Sequence, residues 1–582
     1  MSSMRAADSK TLLTTFPDGV VCRDPPDHRR LVADRKSQYP IAESPWDLPG
    51  KFSSESMKAF AFHPYEIACI GSRPIPSRCS SLLENFMPLR ARFVFGSNHH
   101  HCLSVFANAA CWVAACWLAA CWLAFNGLDA CGDDSVASPA STKTYRLEPA
   151  ATPVDNPLKG LVPYARPAKD RFPHSMEFNY VGLAKLVVGE GQYDWSAMEE
   201  LLDDIASRGN QTVTRVYMEY PKKTDGIPKY LIDAGVKVEK WLNTNTAPFP
   251  PETCYTPDYE DPRTRKLLTD FIAAFGKKYD GDPRLAYITA GLLGTWGEWH
   301  TYPRDDLFAS KETQALVLDA YEDAFRRTPV LLRYPAGPDH YAQADNASRP
   351  FGYHDDSFAW ATLDTGKQAD DWFYMPALND AGSAAVEKWQ TQPIGGEIRP
   401  ELWKTLFDPK KKPHKRLQAF DECVRQTHVT WLMDTGMFER PSGAERIANA
   451  TEAVRPMGYD LTVVGFRTAN RGESTSMELL MRNRGVAPFY ADWPTEIAVV
   501  DADGKIIVRK PVPEFAIRGI LPGEEPTRLR ATVDGVGALA EGHTWIMRVV
   551  NPMEGGKPLR FGNVSQDQHL EGWLTLSVNE VR

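Results

Sequence analysis

The sequence predicts an α/β chain in which a (β/α)8 TIM barrel is followed by a C-terminal β-sandwich. Three observations predict it. From about residue 155, strand-like apolar runs alternate with helical stripes, the pattern of a parallel sheet with crossover helices. Eight such runs fall within about 280 residues, close to the ~250 that eight βα units usually take. After Pro456 the helical stripes stop and short alternating runs take over, as in a sandwich of antiparallel sheets.

The elements follow in order. A first strand is expected at 158–164 and a second, with a break, at 176–188. Tyr193-Asp194-Trp195-Ser196 opens a helix, and Ser196 with Glu199 fits a capping box. Its stripe is Trp195, Met198, Leu201, Leu202 and Ile205, and Gly209 stops it. The third strand is expected at 212–220. A loop rich in Pro, Asn and Thr follows at 242–258. Asp261-Pro262 then caps a helix whose apolar face is Leu267, Leu268, Phe271, Ile272 and Phe275. The fourth strand is expected at 287–295. Ser310 caps the next helix, with Leu316, Val317, Ala320, Tyr321, Ala324 and Phe325 on one face. Strands five to seven are expected at 329–334, 351–358 and 392–398. Leu417, Phe420 and Val424 mark a helix before the eighth strand at 428–433. Sandwich strands are expected at 461–468, 477–482, 495–500, 505–509, 527–533, 543–550 and 573–578. Asp503-Gly504 is the hairpin turn between two of them.

The front of the chain has a different texture. Eight of the ten cysteines lie at or before Cys131, and only Cys254 and Cys423 follow. Two cysteines make neither a disulfide framework nor a zinc spacing, so the body must be held by its core. Residues 1–86 are rich in Ser, Pro and Arg and show no period. They read as an unstructured leader or as a reading frame begun too far upstream. The second is favoured, because Met87 begins an export signal: Arg90 and Arg92, then an apolar run over 102–128. That run is long enough to span a bilayer and longer than a secretory core. Two anchors are therefore open, an uncleaved helix or a lipid on Cys131. The lipid is favoured, because Leu128-Asp129-Ala130-Cys131 has the shape of a lipobox, although Asp129 fits that motif poorly. The expected division is a leader or mis-called start at 1–86, a signal or anchor at 87–131 and a linker at 132–154. A barrel at 155–458 and a sandwich at 459–582 complete it. The partner implied at the front is a membrane, and the body is expected in the cell envelope outside the cytoplasm. A net charge of −9 argues against nucleic acid as a partner.

Two glutamates carry the chemistry. Tyr287-Ile288-Thr289-Ala290-Gly291-Leu292-Leu293-Gly294-Thr295-Trp296-Gly297-Glu298-Trp299-His300 runs from apolar strand through glycine to a carboxylate. Gln392-Pro393-Ile394-Gly395-Gly396-Glu397 does the same. Cutting a glycosidic bond needs two carboxyl groups flanking it. Barrel enzymes hold such groups at the C-terminal ends of strands. Glu298 and Glu397 are the expected catalytic pair; surface ion pairing is the competing reading. Trp296, Trp299, His300 and Tyr302 are candidate stacking platforms for sugar, or core filler. Arg215, Tyr217 and Glu219 alternate along strand three and share a face. Arg333 and Tyr334 end strand five, where Arg333 would keep a carboxylate ionised or form a structural ion pair. His354, Asp355 and Asp356 follow one another on strand six, so they cannot all face one metal ion; sugar hydroxyls or a turn are the alternatives. Trp431 and Asp434 close strand eight. The sequence has no Gly-x-Ser-x-Gly elbow, no His-Glu-x-x-His and no phosphate loop, so neither metal nor cofactor is expected.

The placement of the two acids on strands four and seven is similar to clan A of the glycoside hydrolases. Gly294-Thr295-Trp296-Gly297-Glu298-Trp299-His300, Gly352-Tyr353-His354-Asp355-Asp356-Ser357-Phe358 and Gly395-Gly396-Glu397 resemble a bacterial barrel family labelled only as a domain of unknown function. That family ends in a β-sandwich with a segment like Asn483-Arg484-Gly485-Val486-Ala487-Pro488-Phe489-Tyr490. The resemblance covers about residues 155–580. It implies a carbohydrate substrate, Glu298 as acid/base, Glu397 as nucleophile and retention of configuration. One position departs from it: most clan A enzymes have Asn before the acid/base, to hold the sugar 2-hydroxyl, and this chain has Gly297. Either another residue does that work or the assignment fails. A sugar-binding lipoprotein that kept the barrel and lost turnover is the alternative, and a scaffold built around the sandwich is a third.

Overall fold

The structure, a computed structural model, describes residues 141–168, 171–244, 250–366 and 373–581. The segment expected to be an export signal, its apolar run and Cys131 lie outside those residues.

Eight parallel strands form one sheet. They are β1 (Gly160–Val162), β2 (Met176–Gly182), β3 (Gln211–Tyr217), β4 (Leu285–Thr289), β5 (Val330–Leu332), β6 (Gly352–Phe358), β7 (Ile394–Ile398) and β8 (Trp431–Met433). Their order is β1-β8-β7-β6-β5-β4-β3-β2. The ring closes where Tyr164, beyond β1, pairs in parallel with Phe178 of β2. There Phe178 N donates to Pro163 O at 2.8 Å and Ala165 N to Phe178 O at 2.9 Å. All residues of β1, β3, β4, β5, β7 and β8 are buried, as both faces of a closed parallel sheet must be. The barrel axis is filled by large rings. Trp431 stacks on Tyr287 with centroids 5.9 Å apart. A Cβ on Gly395 would lie 2.4 Å from the Trp431 ring, so glycine is what admits that ring.

The helix caps follow the sequence in two cases out of three. Asp261 accepts from Arg263 N, and Ser310 accepts from Thr313 N. The expected capping box of Ser196 and Glu199 is not formed. Asp194 Oδ1 accepts from Ser196 N at 2.9 Å and from Ser196 Oγ at 2.6 Å. Glu199 turns to Lys278, Arg284 and Tyr279 instead, since charged donors outcompete a neutral backbone N–H. The expected loop at 242–258 contains an antiparallel hairpin of Val238–Asn243 and Glu252–Pro257. It is pinned by buried Trp241, whose Nε1 donates to Thr256 Oγ1 at 2.9 Å.

The C-terminal part has strands β9 (Leu461–Arg471), β10 (Ser474–Asn483), β11 (Thr495–Val500), β12 (Ile506–Pro511), β13 (Thr527–Asp534) and β14 (Thr544–Val549). One sheet runs β13-β10-β9 and then adds Thr142–Arg146 and Glu580–Val581; the other runs β12-β11-β14 and then Leu574–Thr575. Residues 142–146 were expected within a polar linker. They are a strand antiparallel to β9, from Thr142 opposite Ala469 to Arg146 opposite Gly465. Tyr145 and Leu147 are buried in the sandwich core, and two inward apolar residues suffice to hold a short strand there.

The sandwich closes the N-terminal end of the barrel. Tyr459 Oη donates to Pro157 O, just before β1, at 2.8 Å. Tyr490 Oη reaches Trp389 O before β7 at 2.5 Å, and Lys557 N reaches Gly209 O before β3 at 3.2 Å. Lys159 is buried in this joint and donates to Tyr459 O at 2.7 Å and Arg455 O at 2.9 Å. Burial holds its amine down at about 8. The opposite, C-terminal end is the one left for chemistry.

Candidate active site

The site is built around Arg215, the charged residue in the otherwise uncharged strand β3. Its side chain is buried and every N–H direction is used. Nε donates to Thr289 Oγ1 at 2.9 Å. Nη1 donates to Tyr180 Oη at 3.2 Å and to Glu298 Oε1 at 3.0 Å. Nη2 donates to Glu397 Oε1 at 3.0 Å and lies 3.2 Å from His354 Nε2. A buried guanidinium demands such partners, because an unpaired charge is too costly to bury. Two glycines give it room. A Cβ on Gly291 would sit 3.0 Å from Arg215 Cγ, and one on Gly297 would sit 3.4 Å from Arg215 Cδ. Gly297, the departure from the clan pattern, thus lies against the Arg215 stem.

Glu397 belongs to β7, as expected. Glu298 does not end β4, which stops at Thr289. It rides on a coiled loop with left-handed backbone at Leu292, Gly294, Trp296, Gly297 and Trp299. The loop is closed by Leu292 N to Val216 O, Thr295 N to His300 O and Trp299 N to Leu293 O, and Thr295 bridges to Glu219. This coil folds Glu298 back over the mouth until it shares a guanidinium with Glu397.

Strand alternation sorts the β6 triplet. His354 and Asp356 face inward: His354 Nε2 is 3.0 Å from Glu397 Oε1, and Asp356 pairs with Arg333. Asp355 faces outward, accepting from Thr362 Oγ1 at 2.6 Å and Ser357 N at 3.0 Å. Arg333 was expected to keep a carboxylate ionised, and the nucleophile implied by the resemblance is Glu397. Arg333 lies instead at Glu298, with Nη1 3.2 Å from the backbone O and 3.8 Å from Oε2, and its guanidinium covers the Tyr334 ring at 4.6 Å.

These contacts polarise the pair. Burial alone would raise Glu298, but the His300 hydrogen bond and the charges of Arg333 and Arg215 overcome it and hold the carboxyl below its usual range. Burial raises Glu397 above its usual value, against the pull of Arg215. The roles implied by the clan resemblance call for the reverse, a protonated Glu298 and an ionised Glu397. Burial and Arg215 together push His354 down to about 3, so its ring is neutral.

The structure thus brings together Glu298, Glu397, His300, Arg333, Tyr334, His354 and Asp356, with the half-buried Trp296 ring 6.3 Å from His300. Seven other candidates are not part of this group, among them Tyr302, which is exposed beyond the loop. Trp299 is 3% exposed with Nε1 on Ala290 O, so it is core and not a stacking surface. Trp431 fills the barrel axis. Tyr217 is buried and donates to Asp225. Glu219 is buried behind the mouth, accepting from Thr256 and Tyr259. Asp355 points away, and Asp434 accepts from Gly436 N and Met437 N in the turn after β8. Tyr180 and Tyr220, beside the pair, were not singled out. Nothing in single tyrosines signals such a role, whereas alternation with Tyr217 and Glu219 along one strand did bring Arg215 forward. Among the described residues, no group of three or more His, Cys, Asp or Glu side chains is arranged to hold a metal ion.

No protein-family profile matches the sequence, and no curated protein matches it. The resemblance to the domain of unknown function therefore rests on the quoted phrases alone. Among solved structures, similarity is found to endo-glycoceramidase II from Rhodococcus sp., at 10% identity over 66% of this chain and 98% of that one, with a TM-score of 0.33. The Pseudomonas stutzeri endoglucanase Cel5A is 10% identical over 48% of this chain and 80% of its own, with a TM-score of 0.26. A family 39 glycoside hydrolase from Bacteroides cellulosilyticus WH2 is 9% identical over 68% and 82%, with a TM-score of 0.26. At these values they carry no argument about activity, which rests on the site.

Proposed function

We propose that this chain is a glycoside hydrolase acting on an oligo- or polysaccharide, with Glu298 and Glu397 as the working carboxyl pair. One observation carries the reading. Both carboxyls are held at 3.0 Å by neighbouring nitrogens of one guanidinium, at the C-terminal mouth of a closed barrel. That puts two acids within reach of opposite sides of a single bond. The reaction needs one of them protonated and the other ionised, and the unequal surroundings of Glu298 and Glu397 supply that difference.

The order of roles is a separate matter. The resemblance implies Glu298 as acid and Glu397 as nucleophile, an order that would use the minority protonation state of the unliganded site. The charges favour Glu397 as proton carrier and Glu298, set between two guanidiniums, as the ionised partner. Retention of configuration is the expected outcome for a pair held this tightly, since inversion needs room for a water between the acids.

The test is a panel of aryl glycosides and polysaccharides, with the stereochemistry of the first product followed by NMR. Turnover lost in both Glu298→Gln and Glu397→Gln, with sugar affinity kept, supports the reading. A barrel that only binds sugar shows no turnover in the parent chain. We further propose that the body works outside the cytoplasm, tethered through Cys131; the support is Arg90 and Arg92 before the apolar run. Mass spectrometry of the mature N-terminus checks it, and a first residue other than Cys131 overturns it.

A further inference from the structure

The loop that follows β7 starts just beyond Glu397 and is strongly basic. Residues 399–419 hold seven Lys or Arg and two acids, in a chain of net charge −9. Lys410 pairs with Glu445 at 3.5 Å and Lys411 with Asp408 at 3.4 Å. Lys412 and Lys415 are exposed and form no ion pair among the described residues. A run of lysines by itself is only a solvated face, but this one leads back to the acids. Ile398 turns outward into the apolar layer of Phe358 and Trp360. Alternation therefore puts the Arg399 and Glu397 side chains on the same side, about 7 Å apart along the chain. Arg399 Nη1 donates to Ser357 Oγ at 3.1 Å, and Ser357 Oγ lies 3.4 Å from Asp356 Oδ1. Asp356 in turn holds Arg333, which meets Glu298. Arg399 Nε donates to Glu401 Oε2 at 3.1 Å, while Nη2 makes no hydrogen bond among the described residues and 31% of the side chain is open to solvent.

A second observation is what gathers around Trp360, in the loop after β6. The Arg399 guanidinium lies 5.5 Å from the centre of its ring and the Arg416 guanidinium 4.6 Å, and the His414 ring stacks on it at 4.8 Å. One indole thus draws both ends of the basic loop to the C-terminal rim of the barrel. An indole face attracts cations, yet it carries no charge to neutralise them. Cations held side by side repel one another, and an anion arriving at the rim relieves that repulsion. The guanidinium fork is shaped for a carboxylate or for the similar oxygens of a sulfate.

We propose that the glycan taken by this site is anionic, with a carboxylate or sulfate on a sugar beside the cleaved bond bound by Arg399. This rests on the carbohydrate reading of the site given above. The loop lysines raise the local concentration of such a chain, and Arg399 fixes its register against Glu298 and Glu397. A neutral glycan gains nothing from either.

The experiment compares glycans that differ only in charge. The detergent-solubilised full chain carrying Glu397→Gln is titrated at low salt with oligogalacturonate and oligomannuronate, each beside its methyl ester. Sulfated galactan oligosaccharides are titrated beside their desulfated forms. One charged class is expected to bind about tenfold or more tighter than its neutral twin, and which class does so separates carboxylate from sulfate. Adding Arg399→Gln is expected to remove about tenfold of that preference and to leave neutral binding unchanged. Lys412→Gln together with Lys415→Gln alters two exposed side chains without ion-pair partners. That pair is expected to shrink the preference at low salt and to have little effect at high salt, where the charges are screened. Equal binding of charged and neutral twins overturns the proposal. A preference that survives Arg399→Gln overturns it too, whatever the melting temperature of that variant. If Arg399→Gln does not fold, a preference untouched by the lysine pair overturns it instead. In the parent enzyme, turnover of neutral glycans alone overturns it and leaves the glycosidase reading standing. Binding of no saccharide at all ends both.

Discussion

Arg215 and Gly297 lie in contact: a Cβ on Gly297 would touch the arginine stem, 3.4 Å from Arg215 Cδ, and would crowd Gly291 Cα at 3.0 Å. Gly297 also takes a left-handed φ of 71°. Gly297→Asn, which would restore the residue usual in clan A, is therefore expected to lower activity. Asn tolerates the backbone, so the loss comes from its Cβ crowding Gly291 and its amide pressing on the Arg215 stem. Steady-state kinetics check it, and a gain in kcat/KM would show that the clan arrangement fits here after all.

Arg215 itself holds two buried carboxyls. Arg215→Met leaves them unpaired and close together, which should destabilise the fold by about 3–5 kcal/mol. Arg215→Lys restores the charge but not the fork, because one ammonium cannot match two directions at once. We expect Lys to recover much of the stability and little of the activity, as measured by denaturant unfolding and turnover on the same samples.

The unequal pair predicts which acid variant survives an easy substrate. A general acid contributes roughly 10²–10⁴-fold, and a good leaving group makes it dispensable. If Glu397 carries the proton, Glu397→Ala keeps most of its activity on 2,4-dinitrophenyl glycosides, while Glu298→Ala loses it and is rescued by azide. The opposite result would restore the order implied by the clan resemblance.

Glu219 predicts a pH effect on stability. Burial pushes its carboxyl up to about 7, against the hydrogen bonds from Thr256 and Tyr259. The folded chain therefore keeps a proton that the unfolded chain releases near 4.5. The sign follows: its contribution is full at low pH and is lost as pH rises from about 4.5 through 7, by about 3 kcal/mol. Glu219→Gln cannot ionise, so its stability relative to the parent should rise over that window. A difference that stays flat with pH in urea titrations would refute this.

Much of this was legible in the sequence. The parallel strands are buried on both faces, so they read as apolar, β-branched runs, and β1 to β8 were found near their places. The sandwich strands were legible because inward and outward residues alternate. Three things were not. The left-handed backbone at Trp296 and Trp299 has no signature in a tryptophan; it is imposed by the contacts of the folded loop. Alternation could say that Arg333 faces the mouth but not which carboxylate it meets, because that depends on where the loop carries Glu298. The strand at Thr142 was hidden because its partner β9 lies more than three hundred positions along the chain.

That last pairing gives the molecule a history as well as a shape. In chain order the barrel is an insertion: one strand of the sandwich is made before it and the rest after it. Of these strands Thr142–Arg146 leaves the ribosome first, yet its neighbours β9 and Glu580–Val581 are made only after the barrel is complete. Pairing across such a span is slow, since a long loop must close before any contact rewards it. The sandwich is then the last part to assemble, and its closure records that the whole barrel has been synthesised.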